Sequence, residues 1–305
     1  MNQYFKTTKY LAAFLLLSSS FTAPAQNDKD KDIVIAIIDT GADTHHPLIQ
    51  DNVWTNPKEV VNGIDDDGNG FVDDIHGWNF VGHNKDLSDN NGHGTHIAGI
   101  IQQRTQSAHV KYMILKYYDT GKDEDNVSAT IAAIRYATKM KVDIINYSGG
   151  GYDRNPQEEA AIREAQAQGI LFVAAAGNGG LNTDRFGYYP ASYQLSNIIS
   201  VAAIDSQKRL IASSNFGTHT VDLAAPGKRI LSSLPGGQYG YMTGTSQATA
   251  WVSGLAASLM LQKKTYVPEE VKRLLEKEGV HDLALTDKTK SQVRISALQG
   301  LGDGL

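Results

Sequence analysis

The stretch Ile33-Val34-Ile35-Ala36-Ile37-Ile38 is continuously apolar and rich in β-branched residues, the pattern of a strand covered on both faces. Runs of the same kind recur at residues 110–115, 142–147, 170–176 and 198–202. Between them the period changes. Over residues 126–141 the apolar positions Val127, Ile131, Ile134 and Ala137 fall every three or four residues, and residues 156–169 repeat that spacing, with Gly169 placed to end the helix. Residues 248–261 are apolar almost all round, which predicts a helix inside the core, whereas 268–278 reads as a surface helix. Strands alternating with helices predict βαβ units. The expected fold is α/β, a single domain on a mostly parallel β-sheet flanked by helices on both faces.

The first residues follow another pattern. Residues 1–25 carry Lys6 and Lys9, an apolar run over 10–17, three serines, and then Ala23-Pro24-Ala25. A basic start, a short apolar middle and an A-x-A end predict a signal peptide, leaving 26–305 as the mature domain. The apolar run is too short to span a bilayer, so the expectation is a secreted or periplasmic protein with no membrane attachment after cleavage. The net charge falls from −5 to −7 once Lys6 and Lys9 are gone, so the chain lacks the basic excess that would hold nucleic acid. With no cysteine, disulfides, zinc–thiolate sites and thiol nucleophiles are all excluded.

Three motifs carry candidate chemistry. Ile38-Asp39-Thr40-Gly41 closes the first strand, where an aspartate is a turn-former or cap, or else a working group at the carboxyl edge of a sheet. Asn91-Gly92-His93-Gly94-Thr95-His96 opens a helical pattern, and it lacks the glutamate and spacing of an H-E-x-x-H zinc site. Gly244-Thr245-Ser246-Gln247-Ala248 opens the buried helix, where Ser246 is an N-cap or a nucleophile. The order Asp, His, Ser is that of subtilisin. A lipase-type G-x-S-x-G elbow is ruled out by Ala248.

On these blocks the chain resembles the subtilisin-like serine peptidases. Further matches are 145–151 (Ile-Asn-Tyr-Ser-Gly-Gly-Gly), Ala175-Ala176-Gly177-Asn178, Tyr189-Pro190-Ala191 and Ala224-Ala225-Pro226-Gly227, all in family order. The resemblance implies an endopeptidase acting on polypeptides, as a monomer, through an acyl-enzyme. Ser246 would be the nucleophile, His93 its general base and Asp39 the group that orients the imidazole. Asn178, unless it is merely a left-handed turn residue, would donate its side-chain amide to the oxyanion. Ser148, Gly149 and Gly150, with Gly151 beyond, would bind extended peptide by strand addition. Gly150, Ala175, Gly177 and Ala191 would line the pocket for the residue before the scissile bond. All are small and uncharged, so the expectation is a roomy pocket that favours large apolar side chains and has no strict preference for basic ones. The alternative is a catalytically silent member of the fold that binds peptide through 148–151.

His93 follows Asp39 by 54 positions, and the intervening chain includes Asp65-Asp66-Asp67-Gly68-Asn69-Gly70-Phe71-Val72-Asp73-Asp74. Asp65, Asp67 and Asn69 match positions 1, 3 and 5 of an EF-hand-like loop, but position 12 is His76 and not glutamate. The reading is a structural Ca²⁺ held by Asp65, Asp67, Asn69, the Phe71 carbonyl and Asp73 or Asp74, with 86–89 as a weaker second candidate. Two departures from the family stand beside the nucleophile: Gln247 where Met is usual, and Ala250 where Pro is usual. Gln247 removes an oxidisable thioether, which predicts tolerance of peroxide. A propeptide, general in secreted members, does not fit in residues 26–38; the chain folds without one, or the coding region is truncated, or activity is not what is selected.

Overall fold

The computed structural model describes Met1 and residues 31–119, 126–264 and 266–298. Met1 apart, the signal peptide expected over 1–25 lies outside the described residues. The described residues from Asp32 onward form one compact unit. Its strands are β1 (Ile33–Asp39), β2 (Gly77–Asn79), β3 (Val110–Lys116), β4 (Ile144–Tyr147), β5 (Leu171–Ala175), β6 (Ile198–Ile204), β7 (Leu223–Pro226), β8 (Ile230–Leu234), β9 (Gln238–Met242), β10 (Val280–His281) and β11 (Val293–Arg294). Its helices are α1 (His93–Thr105), α2 (Asn126–Lys139), α3 (Pro156–Ala167), the single turn α4 (Thr183–Phe186), α5 (Thr245–Lys263) and α6 (Pro268–Glu278).

Nine strands form one sheet in the order β10-β11-β7-β6-β5-β4-β1-β3-β2, parallel throughout except for the β10–β11 pair. The apolar runs form its middle because their residues are covered on both sides. Ile33, Ile35 and Ile37 pack into one core with α1, α5 and α6, while Ala36 and Ile38 point the other way, against α2 and α3. Thr245 to Met260 of α5 are all buried, small polar residues such as Thr249 and Ser253 included, as expected of a helix inside the core. Helix α3 starts on Asn155, whose side chain accepts from the N–H groups of Gln157 and Glu158, and Gly169, at φ +73°, follows its C-cap as expected.

Strand order reverses at β1, which lies between β4 and β3. Ligands of open α/β sheets bind beyond the carboxyl ends of the strands at such a switch point. Asp39 ends β1 and Ser148 directly follows β4. The sequence pattern missed β7 and the antiparallel β8–β9 hairpin. β7 is four residues of mostly alanine and proline, and the exposed hairpin is largely polar or half-buried, so neither presents an apolar run.

Candidate active site

Asp39, 2% exposed, accepts the Thr40 N–H at 2.8 Å, and the same oxygen, Oδ1, lies 2.7 Å from His93 Nδ1. This bond fixes the tautomer with the Nδ1 proton toward Asp39 and leaves Nε2 free to accept. Burial disfavours the imidazolium, but the charge and hydrogen bond of Asp39, with Asp89 farther off, outweigh it and hold His93 above its ordinary value of 6.5.

His93 is the first residue of α1, and the helix start is tied to the end of β1 by a residue that sequence reasoning misassigned. Asp89, part of the weaker cation candidate, is buried and accepts five hydrogen bonds. They come from Thr40 Oγ1 (2.9 Å), the N–H groups of Asn91 (3.1 Å) and Gly92 (2.8 Å), and Thr95 N (2.8 Å) and Oγ1 (2.7 Å). A carboxylate there satisfies the orphan donors of the first turn and the positive end of the helix. Thr40 Oγ1 in turn accepts the Gly94 N–H at 3.0 Å. The approach is so close that a Cβ on Gly94 would lie 2.0 Å from the Gly41 carbonyl oxygen, which explains the glycine after His93. Asp86, the other end of that candidate, accepts the Ser88 N–H in a local turn. The second histidine, His96, is buried and its Nε2 faces the carbonyls of Ile230 and Gly240, so it pins the β8–β9 hairpin and does not pair with His93 around a metal.

Ser246 is not a cap. The N-cap of α5 is Gly244, and the Ser246 hydroxyl instead donates to the Ser148 carbonyl at 3.0 Å. Ser148 is itself held from α5 through Asn146, whose Oδ1 accepts from Ser253 Oγ at 2.8 Å and whose Nδ2 donates to Ser148 Oγ at 3.1 Å. Among the described residues no hydrogen bond joins Ser246 to His93; in free enzymes such bonds are often long and close only around substrate. Asn178 is exposed and has no left-handed backbone. Its Oδ1 accepts from Thr245 N (2.9 Å) and Oγ1 (3.1 Å), which turns Nδ2, without a hydrogen-bond partner among the described residues, to the open side.

The segment expected to bind peptide, 148–151, offers a shorter free edge. Gly151 exchanges both backbone hydrogen bonds with Tyr189, at 2.9 and 2.7 Å, so the open edge is Ser148, Gly149 and Gly150. Of the expected pocket residues, Ala175 ends β5 and Gly177 follows it, but Ala191 is buried in the α2–α3 core and borders a separate cavity with Asp222 and Lys272. Tyr188, which sequence reasoning passed over, stands between Gly150 and Gly177. A Cβ on Gly150 would meet its ring at 2.6 Å and one on Gly177 at 2.9 Å. Beside Ser246, Gln247 is buried, yet its Nε2 lies 3.9 Å from Met242 Sδ, so a thioether remains close to the site.

In the acidic loop the expected ligands part company. Asp65 accepts the N–H groups of Asn69 and Gly70, and Asp73 accepts those of Asn62 and Gly63 and pairs with Lys85 at 2.6 Å. The Lys85 bond, with those two N–H groups, lowers the Asp73 pKa to about 2. Asn69 uses Oδ1 on the Phe71 N–H and Nδ2 on Asp74, and the Phe71 ring packs edge-on against Trp78, Phe80 and Tyr136. The carboxylates that converge are Asp67, Asp74 and one the sequence reading missed, Glu59, with one oxygen of each within 4.8 Å of the others. Glu59 is 5% exposed; its Oε1 accepts the N–H groups of Asp66 and Asp67, while its buried Oε2 has no hydrogen-bond partner. An oxygen-only set with an orphaned buried carboxylate oxygen fits a hard divalent cation.

The subtilase family model matches residues 30–302. The chain is 34% identical over 268 residues to the major intracellular serine protease of Bacillus subtilis, covering 84% of this chain and 76% of that protein. To subtilisin DY of Bacillus licheniformis it is 30% identical over 260 residues, covering 82% and 85%. The crystal structure of a cold adapted subtilisin-like serine proteinase superimposes with a TM-score of 0.71 at 24% identity, over 93% of this chain and 94% of that one. Sequence and fold thus agree that this chain belongs to the subtilase family and is a serine-type endopeptidase.

Proposed function

We propose that Asp39, His93 and Ser246 hydrolyse peptide bonds through an acyl-enzyme, with Asn178 holding the oxyanion. Ser246 Oγ attacks the scissile carbonyl carbon while His93 Nε2 takes its proton. The same nitrogen then returns the proton to the leaving amine, and water repeats the sequence on the ester. Asn178 Nδ2 and the Ser246 N–H, at the positive end of α5, are donors in place before charge develops. The substrate lies as an added strand along Ser148, Gly149 and Gly150. The observation that carries this reading is the 2.7 Å bond between His93 Nδ1 and Asp39, which leaves Nε2 as the base. In a peptide-hydrolysis assay Ser246→Ala should lower kcat on the order of 10⁶-fold, the scale set by a subtilisin's own serine. Retained turnover would refute the assignment.

We further propose that Glu59, Asp67 and Asp74 hold a structural Ca²⁺, supported by the unpartnered Glu59 oxygen. Bound there, the ion would neutralise the loop and contribute to stability without entering the reaction. Export through residues 1–25 is likewise our proposal, and it rests on their sequence pattern. Among the described residues no helix is long and apolar enough to cross a membrane.

A further inference from the structure

The reacting carbonyl must sit between Ser246 Oγ and Asn178 Nδ2, with its chain running along Ser148 to Gly150. The side chain before the scissile bond then points into the gap between the segments that follow β4 and β5, which are neighbouring parallel strands. Glycine stands on both walls of that gap, Gly150 on one side and Gly177 on the other. Such walls would leave a deep slot if nothing else entered it. The Tyr188 ring does enter it. Its Cε1 and Cζ would lie 2.6 and 3.0 Å from a Cβ on Gly150, and its Cδ1 and Cε1 2.9 and 3.0 Å from one on Gly177. The ring is wedged where two side chains would otherwise be.

Tyr188 is also held in place. Its N–H donates to Ser192 Oγ at 2.9 Å and its carbonyl accepts the Ser192 N–H at 2.9 Å. The Tyr152 ring packs edge-on against it, with centroids 5.4 Å apart and planes at 73°. Tyr152 is braced in turn, since its hydroxyl would lie 2.6 Å from a Cβ on Gly179. Swinging Tyr188 out would break the aromatic contact and expose a ring that is now half-buried.

We propose that Tyr188 closes this pocket and restricts the enzyme to polypeptides with Gly, Ala or Ser before the scissile bond. The proposal rests on the proteolytic reading above and replaces the roomy apolar pocket expected from small lining residues. The test is kcat/KM on a peptide series that varies only in the residue before the scissile bond, run with fluorophosphonate labelling of Ser246, which needs no side chain in the pocket. One methylene too many costs about 10–200-fold, so Ala should exceed Phe by at least about 100-fold. Tyr188→Gly should reverse the order by raising kcat/KM for Phe. Should that variant not fold, the sites cut in a casein digest by the unaltered enzyme decide, and they should follow small residues. Equal or better cleavage after Phe by the unaltered enzyme would overturn the proposal and leave the proteolytic reading standing. So would a folded Tyr188→Gly that still rejects Phe. No labelling and no cleavage of any peptide would overturn both.

Discussion

The region around Asp39, His93 and Ser246 and the loop around Glu59 and Asp74 both gather acidic groups, but they hold them by opposite means. Asp39 sits at the end of a strand buried on both faces, and its neighbour Asp89 has five hydrogen bonds from the backbone and side chains around it. Glu59, Asp67 and Asp74 converge on one another, and a Glu59 oxygen is left without a partner. The first set is satisfied within the protein; in the second Asn56, Asn69 and Tyr136 donate to Asp74 while Glu59 Oε2 is left over, and this is where we propose the cation. A fully bonded carboxylate positions other groups, whereas an orphaned one marks a place for a ligand.

The sharpest way to probe the first set is at Asn178, whose side-chain amide has no hydrogen-bond partner among the described residues to lose at Nδ2. Asn178→Ala should lower kcat about 10²–10³-fold with little change in KM, and a raised KM with kcat unchanged would mean that it binds substrate instead. Next is Asp89→Asn, which keeps the shape but halves the capacity to accept and removes a charge that raises the His93 pKa. Since His93, as the proposed base, must be neutral, activity should appear as pH rises through that pKa. Removing the charge should move the acid limb of kcat/KM to lower pH. Stability runs the other way: a raised histidine pKa stabilises the fold below about 6.5 and the benefit is lost as pH rises through the folded value. Loss of the cap should cost about 1–2 kcal/mol and lower Tm. An unmoved acid limb would show that Asp89 only caps the helix.

At the second set the expected effect is on stability alone and leaves the chemistry untouched. At a hundredfold excess over Kd, Ca²⁺ would add about 2.7 kcal/mol, so EGTA should lower Tm by about 5 °C. Glu59→Gln should abolish that difference. A Tm indifferent to EGTA would mean that the three carboxylates hold no ion.

The same contrast explains what the sequence could reveal. β1, β3 and β6 were legible because a strand covered on both faces must be apolar at every position. Asp39, His93 and Ser246 were legible through their flanking glycines, and the structure supplies a reason for one of them: Gly94 must pass the Gly41 carbonyl. Asp89 was misread because an aspartate that caps and one that binds a cation share the same loop composition. Glu59 was invisible, for it lies six residues before the aspartate run with no spacing rule to connect them. Tyr188 was hidden by the assumption that small residues make an empty pocket, when the space beside a glycine can belong to a ring from another segment.

The most direct test of the central claim is fluorophosphonate labelling of the calcium-loaded 26–305 protein, with the modified residue located by mass spectrometry. The account predicts labelling at Ser246 that Ser246→Ala abolishes and His93→Ala suppresses. A folded protein that takes no label would contradict it and leave a subtilase fold that binds peptide along Ser148 to Gly150 without cutting it.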